Sequence, residues 1–411
     1  PPRSTLFPYT TLFRSQKGSP IHMIWADSPC RITCWNFGHE TELALRSPKI
    51  EFFVAQHPWF ENDCIYADIV LPVNTYMEVD DIVTNIRQGT MQPNIMITEK
   101  AIEPIGESKS DAECVREVAK KFPGMEEQMT EGKTIADLQK AIWGYMGGEK
   151  LVSWEQLKEK GYWIYSTAAD WANDPPGFRQ FYLDPEKFKL NTPSGKLEFY
   201  SEALAKAFPD DKERGPIPKW IEKSHNHDER LSSARARVYP LLIVSNHGRW
   251  RVHAQCDDIT WTRETPTMKV TGPDGYKYEP CWLHPSEAEK RGIKNGDIVK
   301  IFNERGTVLA GAYVTERLRP GVAYVDHGAR HDPIKTGEIE RGGAINTITP
   351  GAITSENCVG QIGGGYLVEV QKVTGEEMDR WRREYPEAFA RKYDPAAGLR
   401  VDAWLADGGD K

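Results

Sequence analysis

Four apolar residues, Leu241-Leu242-Ile243-Val244, run straight into Ser245-Asn246-His247-Gly248-Arg249-Trp250-Arg251-Val252-His253-Ala254-Gln255. The apolar run reads as a buried strand. The arginines, histidines and amides after it are poor core material, because burying such groups unpaired is costly. One reading is a polar loop that follows a strand. The other is the rim of a site for a large, polar, anionic ligand. Guanidinium forks match phosphates, and amides match the edge of a heterocycle.

The residues downstream predict a compact β domain. Glu279-Pro280-Cys281-Trp282-Leu283 leads into His284-Pro285-Ser286-Glu287-Ala288, a short helix. Gly296-Asp297-Ile298-Val299-Lys300-Ile301-Phe302 alternates as a half-buried strand does, and Asn303-Glu304-Arg305-Gly306 is a hairpin turn before a second alternating strand over 307–314. Arg319-Pro320-Gly321-Val322-Ala323-Tyr324 opens another strand.

The order of these signals resembles the last domain of the dimethyl sulfoxide reductase family of molybdopterin enzymes. There, "HPxxA", "GDxV", "N-x-x-G" and "PGV" segments recur after an opening strand like 241–255. The resemblance implies a six-stranded double-psi β-barrel over 238–372. Further upstream, Ile50-Glu51-Phe52-Phe53-Val54-Ala55-Gln56 and Ala67-Asp68-Ile69-Val70-Leu71-Pro72 look like strands of the family's Rossmann-like domain. The expected fold is therefore α/β followed by mainly β: a partial Rossmann-like parallel-sheet domain over 16–122, then the barrel. A helical, aromatic-rich connecting region covers 123–237, and a terminal helix and tail cover 373–411. Within 123–192 the dense aromatics, Trp143, Trp154, Trp163, Tyr165 and Trp171 among them, read as a satellite core.

The same resemblance implies a site. Ligands in open α/β sheets sit outside the carboxyl ends of strands, which puts Gln56, His57 and Asp68 beside a nucleotide. Asn246, His247, Gly248, Arg249, Trp250, Arg251, His253 and Gln255 would line the cofactor crevice. Asn346, in Gly342-Gly343-Ala344-Ile345-Asn346-Thr347-Ile348-Thr349-Pro350, and Gln361 would face a pterin edge. That edge is guanine-like and suits amides, which both donate and accept. His327, Arg330 and His331 are the candidates nearest the chemistry, with a structural Asp–Arg–His network as the other reading. The implied cofactor is molybdenum in bis-molybdopterin guanine dinucleotide, with any iron–sulfur cluster in a small partner subunit.

Within the family, "VTERLRPGVAYVDHGAR" and "GGAINTITP" look most like the large subunits of pyrogallol–phloroglucinol transhydroxylases and related resorcinol hydroxylases. That implies a small aromatic substrate. Two other classes stay open: a molybdenum reductase of sulfur, arsenic or nitrogen oxyanions, and a non-catalytic double-psi barrel. No G-x-x-x-x-G-K-[ST] occurs to suggest an ATPase.

Composition narrows the rest. A net charge of −8 argues against general nucleic-acid binding. No apolar run reaches the roughly 18–20 residues that a membrane helix needs. Seven cysteines without regular spacing form no disulfide framework and point to a reducing compartment, the cytoplasm. Cys30-x-x-x-Cys34 is half of a metal site at most, because the sequence offers no second pair nearby, so no metal ligand is expected. Residues 1–15, PPRSTLFPYTTLFRS, look like a translated sequencing adaptor and are set aside as a non-native tail. The natural sequence is then expected to begin near Gln16 as a fragment without its amino-terminal half, which would carry the molybdenum ligand.

Overall fold

A computed structural model of the chain describes residues 21–84, 94–145, 147–166, 169–170, 173, 177–219, 227–351, 363–394 and 399–401. The chain divides into two compact units, Pro1–Leu71 with Ile221–Lys411, and Pro72–Trp220. These units cut across the segments 16–122 and 123–237 expected from sequence.

In the first unit, β1 (Met23–Ala26) pairs in parallel with β2 (Phe52–His57), and β3 (Ile69–Pro72) completes a three-stranded sheet in the order β1-β2-β3. The connection between β1 and β2 carries two short helices, α1 (Arg31–Cys34) and α2 (Gly38–Leu45). A parallel pair needs such a crossover. This is the Rossmann-like part. Its core gathers Ile24, Ile32, Leu45, Phe53, Ala55 and Cys64. Asp63 fixes the start of α1 by accepting from Arg31 N at 2.9 Å and Ile32 N at 3.0 Å.

In the second unit, β4 (Asp81–Thr84), β5 (Asn94–Thr98) and β6 (Tyr162–Ile164) form an antiparallel sheet. Helix α3 (Asp111–Ala119) starts from a capping box between Ser110 and Glu113. Helices α4 (Ile135–Tyr145) and α5 (Trp154–Lys160) follow. Trp143 is fully buried, with Ile95, Val152 and Leu157 around it and Trp154, Trp163 and Tyr165 packed against them. The aromatic-rich stretch thus builds a core. Trp171 lies outside the described residues. Gly148 is required beside Trp143, since a Cβ there would sit 2.3 Å from the indole ring.

Returning to the first unit, the strands β7 (Leu241–Val244), β8 (Val270–Thr271), β9 (Lys277–Tyr278), β10 (Pro280–Leu283), β11 (Ile298–Asn303), β12 (Gly306–Val314), β13 (Val322–Tyr324), β14 (Pro333–Lys335), β15 (Ile339–Glu340) and β16 (Tyr366–Lys372) follow in order. Six of them close a ring, β10-β13-β7-β16-β11-β12 and back to β10. This is the six-stranded double-psi barrel. Strands β15 and β14 extend the sheet outward from β12. Closure removes free sheet edges and buries Leu241, Ile243, Val299, Ile301, Val308, Ala310, Ala323 and Val368 in one core.

Local chemistry explains the elements. The His284 imidazole caps α6 (Pro285–Lys290) by accepting from Ser286 N, with Pro285 preset for the first turn. In the β11–β12 hairpin, Asn303 Oδ1 accepts from Arg305 N at 2.9 Å, while its amide donates to the carbonyls of Ile348 and Leu367. After β16, the expected terminal helix is two helices, α7 (Gly375–Glu384) and α8 (Pro386–Ala390), because Pro386 cannot continue the first. Met378 and Trp381 pack with Tyr385 and Phe389 against Leu309 and Ile334 of the barrel.

Candidate functional site: a histidine cluster where two parallel strands end

Strands β7 and β13 are parallel neighbours, with Leu242, Ile243 and Val244 opposite Val322, Ala323 and Tyr324. Their chains therefore leave the barrel at the same end and stay side by side. His247 bridges to His327, and His327 N donates to the Asn246 carbonyl at 2.8 Å. The His247 and His327 rings stack, with centroids 4.9 Å apart and planes 5° from parallel. A tight turn between Val252 and Gln255 brings in His253, whose Nδ1 lies 2.8 Å from His327 Nε2. His253 holds a left-handed φ of 51°, a conformation costly for a non-glycine residue. Directly against it, Gly328 has φ 85°, and a Cβ there would lie 2.6 Å from the His253 backbone. Only glycine allows this approach.

Two further segments reach the cluster. The turn Ile345–Ile348 places buried Asn346 so that its Oδ1 lies 3.1 Å from His327 Nδ1. The Asn346 amide nitrogen donates to the Trp35 carbonyl at 3.3 Å, which fixes the oxygen toward the histidine. His327 Nδ1 therefore carries the proton, and its Nε2 presents a lone pair to His253. Helix α1 brings in Cys34: its sulfur and the ring nitrogens of His253 and His327 all lie within 4.8 Å of one another. The placement is locked by close packing of the first unit's amino-terminal segment on the turn at 345–348. Phe37 N donates to Thr349 Oγ1 at 2.7 Å, and a Cβ on Gly38 would lie 2.9 Å from Thr347 Cα.

The electrostatics favour neutral imidazoles. Burial first, then the neighbouring His253 and His247, push His327 down to about 4. Burial and His247 also lower His253. The Cys34 thiol is held far above its ordinary range, first by its bond to Cys30 and then by burial.

Beneath the cluster lies an ionic network. The guanidinium of Arg251 is fully buried and clamps Glu279 at 2.8 and 3.0 Å. It also reaches Asp257 at 3.3 Å and the carbonyls of Asp326 and His327. Lys269 bonds the same two acids at 2.8 and 3.0 Å. Burial opposes the charge on Arg251, but Glu279 and Asp257 more than offset it and hold the guanidinium above its usual value. Burial also opposes the Asp257 carboxylate, yet Lys269 and Arg251 hold it well below the usual range.

The sequence candidates thus separate. Asn246, His247, His253, His327 and Asn346 come together. Arg249 is exposed beside Trp250 and forms no ion pair among the described residues. Trp250 is half-buried and bonds Thr267. Gly248 has no room for a side chain, since a Cβ would lie 3.0 Å from Asp326. Gln255 is half-buried in the turn with Val252.

Several expected site residues make internal contacts. Arg251 holds the carboxylates beneath the loop, so its phosphate role is not supported. Gln56 is buried and accepts from Trp25 Nε1 at 3.1 Å. Asp68 is exposed and accepts from Phe53 N at 2.7 Å, tying β3 to β2. Arg330 bonds the Ala254 carbonyl and Asp258, although its buried Nη1 has no partner. His331 lies 3.1 Å from Glu42; burial would lower it, but Glu42 outweighs that and keeps it raised. Gly342 and Gly343 allow close packing, since Cβ atoms there would lie 1.9 Å from the Arg330 carbonyl and 2.1 Å from Glu279. Gln361 lies outside the described residues. Cys34 was the contributor that sequence reading missed, although Cys30-x-x-x-Cys34 was its trace.

The comparisons identify the family. The family model "Molybdopterin oxidoreductase" matches residues 11–121, and "Molydopterin dinucleotide binding domain" matches 241–361. Together they span more than half of the chain, which belongs to the molybdopterin oxidoreductases of the dimethyl sulfoxide reductase family. The large subunit of pyrogallol hydroxytransferase from Pelobacter acidigallici is 31% identical over 360 residues, 80% of this chain and 41% of that protein. Trimethylamine-N-oxide reductase 1 of Escherichia coli K12 is 33% identical over 80% of this chain and 38% of its own length. A dimethyl sulfoxide reductase from the same strain is 30% identical over 86% and 42%. The chain thus spans about two fifths of the curated relatives it matches. Acetylene hydratase from Pelobacter acetylenicus shares the fold, with TM-score 0.59 at 19% identity over 89% of this chain and 46% of that one.

Proposed function

We propose that this chain forms the carboxyl-terminal part of the crevice for a molybdopterin guanine dinucleotide in a molybdenum oxidoreductase. The observation that carries the reading is the end of the barrel where β7 and β13 finish. An exposed guanidinium at Arg249, with no ion pair among the described residues, an exposed Asn246 amide and a half-exposed ring at His253 lie there along one loop. Two polar atoms nearby, Ser245 Oγ and Arg330 Nη1, are buried without partners among the described residues. Buried donors without partners are rare in native folds, and a polar ligand satisfies them. These residues fit an anionic dinucleotide.

Arg249 would hold a phosphate, with Trp250 beneath it as a flat support. Asn246 and His253 would bind the polar edge of the pterin. When bound, molybdenum in such a cofactor supplies an electron-accepting and electron-returning centre. His327 stays neutral at pH 7 with its tautomer set by Asn346, so its role is an oriented hydrogen-bond acceptor and not a proton store. Hydroxyl transfer between polyhydroxylated aromatics is the reaction we favour, with an iron–sulfur small subunit as partner and the cytoplasm as its place. The large subunit of pyrogallol hydroxytransferase is one of the relatives. The second reading is N-oxide or sulfoxide reduction, supported by relatives of similar identity.

The test is product analysis by the enzyme assembled with the rest of its crevice. It is supplied separately with a trihydroxybenzene pair and with trimethylamine N-oxide plus a reduced dye. Isomerised trihydroxybenzene supports hydroxyl transfer. Trimethylamine formation without it overturns that reading in favour of the reductase.

A further inference from the structure

We propose that Cys34, His253 and His327 form a zinc-type metal site, with the fourth position left to an exogenous ligand. The site shares His253 and His327 with the proposed cofactor crevice, but it rests on the geometry of the cluster alone. The sulfur of Cys34 and one nitrogen from each histidine already converge within 4.8 Å of one another. Tetrahedral zinc, with bonds of about 2.3 Å to sulfur and about 2.0 Å to nitrogen, needs donor–donor edges of roughly 3.3–3.6 Å. The cluster reaches that shape by drawing the sulfur inward by at most about 1.3 Å from its 4.8 Å limit and letting the two ring nitrogens, now 2.8 Å apart, spread by about 0.5 Å.

Three independent features prepare the donors. The Trp35 carbonyl orients Asn346, and Asn346 holds the proton of His327 on Nδ1, so Nε2 is bare and aimed into the cluster. A hydrogen bond to the far nitrogen is what fixes metal-ligating histidines elsewhere. His253 is held in a strained left-handed conformation by glycine at 328, and such strain persists only where the surroundings over-determine it. Cys34 and His327 are buried, which excludes competing water. One thiolate with two imidazoles suits zinc, a borderline-soft ion that takes sulfur and nitrogen donors in tetrahedral sites. On binding, the Cys34 thiol loses its proton to solvent, and His253 shifts its proton from Nδ1 to Nε2.

The probe is cobalt(II), titrated into the reduced, cofactor-free 411-residue chain and then displaced by zinc(II). We expect one equivalent to give a thiolate-to-cobalt charge-transfer band and the strong visible bands of a tetrahedral site, all erased by one equivalent of zinc. Cys34→Ser should abolish the charge-transfer band. Asn346→Leu, which removes the bond to His327 and the one to the Trp35 carbonyl but leaves every metal donor in place, should weaken cobalt about 10–100-fold. Circular dichroism checks that each variant folds. Should Cys34→Ser fail to fold, His253→Gln on the half-exposed turn serves instead and should lose the tetrahedral signature. An octahedral spectrum without charge transfer in the unaltered chain, or an unchanged band in Cys34→Ser or His253→Gln, overturns the site.

Discussion

Replacing Arg251 by alanine separates a buried structural arginine from a phosphate ligand. The side chain is 1% exposed and spends its donors on Glu279, Asp257 and two backbone carbonyls. Removing one partner of a buried ion pair costs about 3–5 kcal/mol, because the other charge is left without its partner. Here Lys269 stays 2.8 Å from Glu279 and 3.0 Å from Asp257, and Arg263 stays near Asp257, so the two acids keep two cations. The loss should therefore fall at the lower end, about 3 kcal/mol. For a unit of this size that lowers Tm by about 6–12 °C at 2–4 °C per kcal/mol. The assay is thermal unfolding followed by circular dichroism, with no nucleotide present. Arg249→Ala, at an exposed position with no ion pair among the described residues, should stay within about 0.5 kcal/mol of the unaltered chain. Adding Glu279→Gln to Arg251→Ala should recover part of the loss, since it removes the carboxylate left behind. An Arg251→Ala Tm within 2 °C of the parent, set against about 6 °C or more expected, would refute the buried-network reasoning.

Other outcomes follow from the same geometry. His327 titrates at about 4 in the fold and near 6.5 unfolded, so the unfolded chain takes up a proton that the fold refuses. Its contribution is intact above pH 7 and is lost as pH falls from about 6.5 to 4, by roughly 2–3 kcal/mol after allowance for partial exposure. Urea unfolding across that window should show the slope, and His327→Gln should flatten it. Gly342→Ala drives a methyl to 1.9 Å from the Arg330 carbonyl and should cost about 3 kcal/mol by the same unfolding measurement. Trp143→Ala should destabilise the 72–220 unit by about 3–5 kcal/mol, read as a lower midpoint for loss of the near-ultraviolet tryptophan signal.

Much of the barrel could be read from the sequence because its signals are local. The Asn303–Gly306 hairpin, the His284-Pro285 helix start and the alternation in β11 each depend on neighbours a few residues apart. The loop after Val244 was legible as a site for the same reason: a strand cannot carry that many polar groups into a core. Which way each side chain faces was not legible. Arg249 and Arg251 look equivalent in sequence, yet one is exposed and the other lies beneath the loop, because Glu279 and Asp257 arrive from distant segments. The glycines at 342 and 343 read as room for a ligand, but they make room for Arg330 and Glu279. The pairing of Cys34 with His253 and His327 depends on the packing of α1 against the turn at 345–348, and no short-range pattern encodes that.

The central claim is that the loop after β7 binds the guanine dinucleotide through Arg249. Calorimetric titration of the 411-residue chain with guanosine diphosphate tests it most directly. The account predicts one saturable site, weakened about 10-fold or more in Arg249→Ala, as loss of a charge-assisted bond of about 1.5–3 kcal/mol requires. Equal affinity in the parent and in Arg249→Ala, or no binding by the parent, would contradict it.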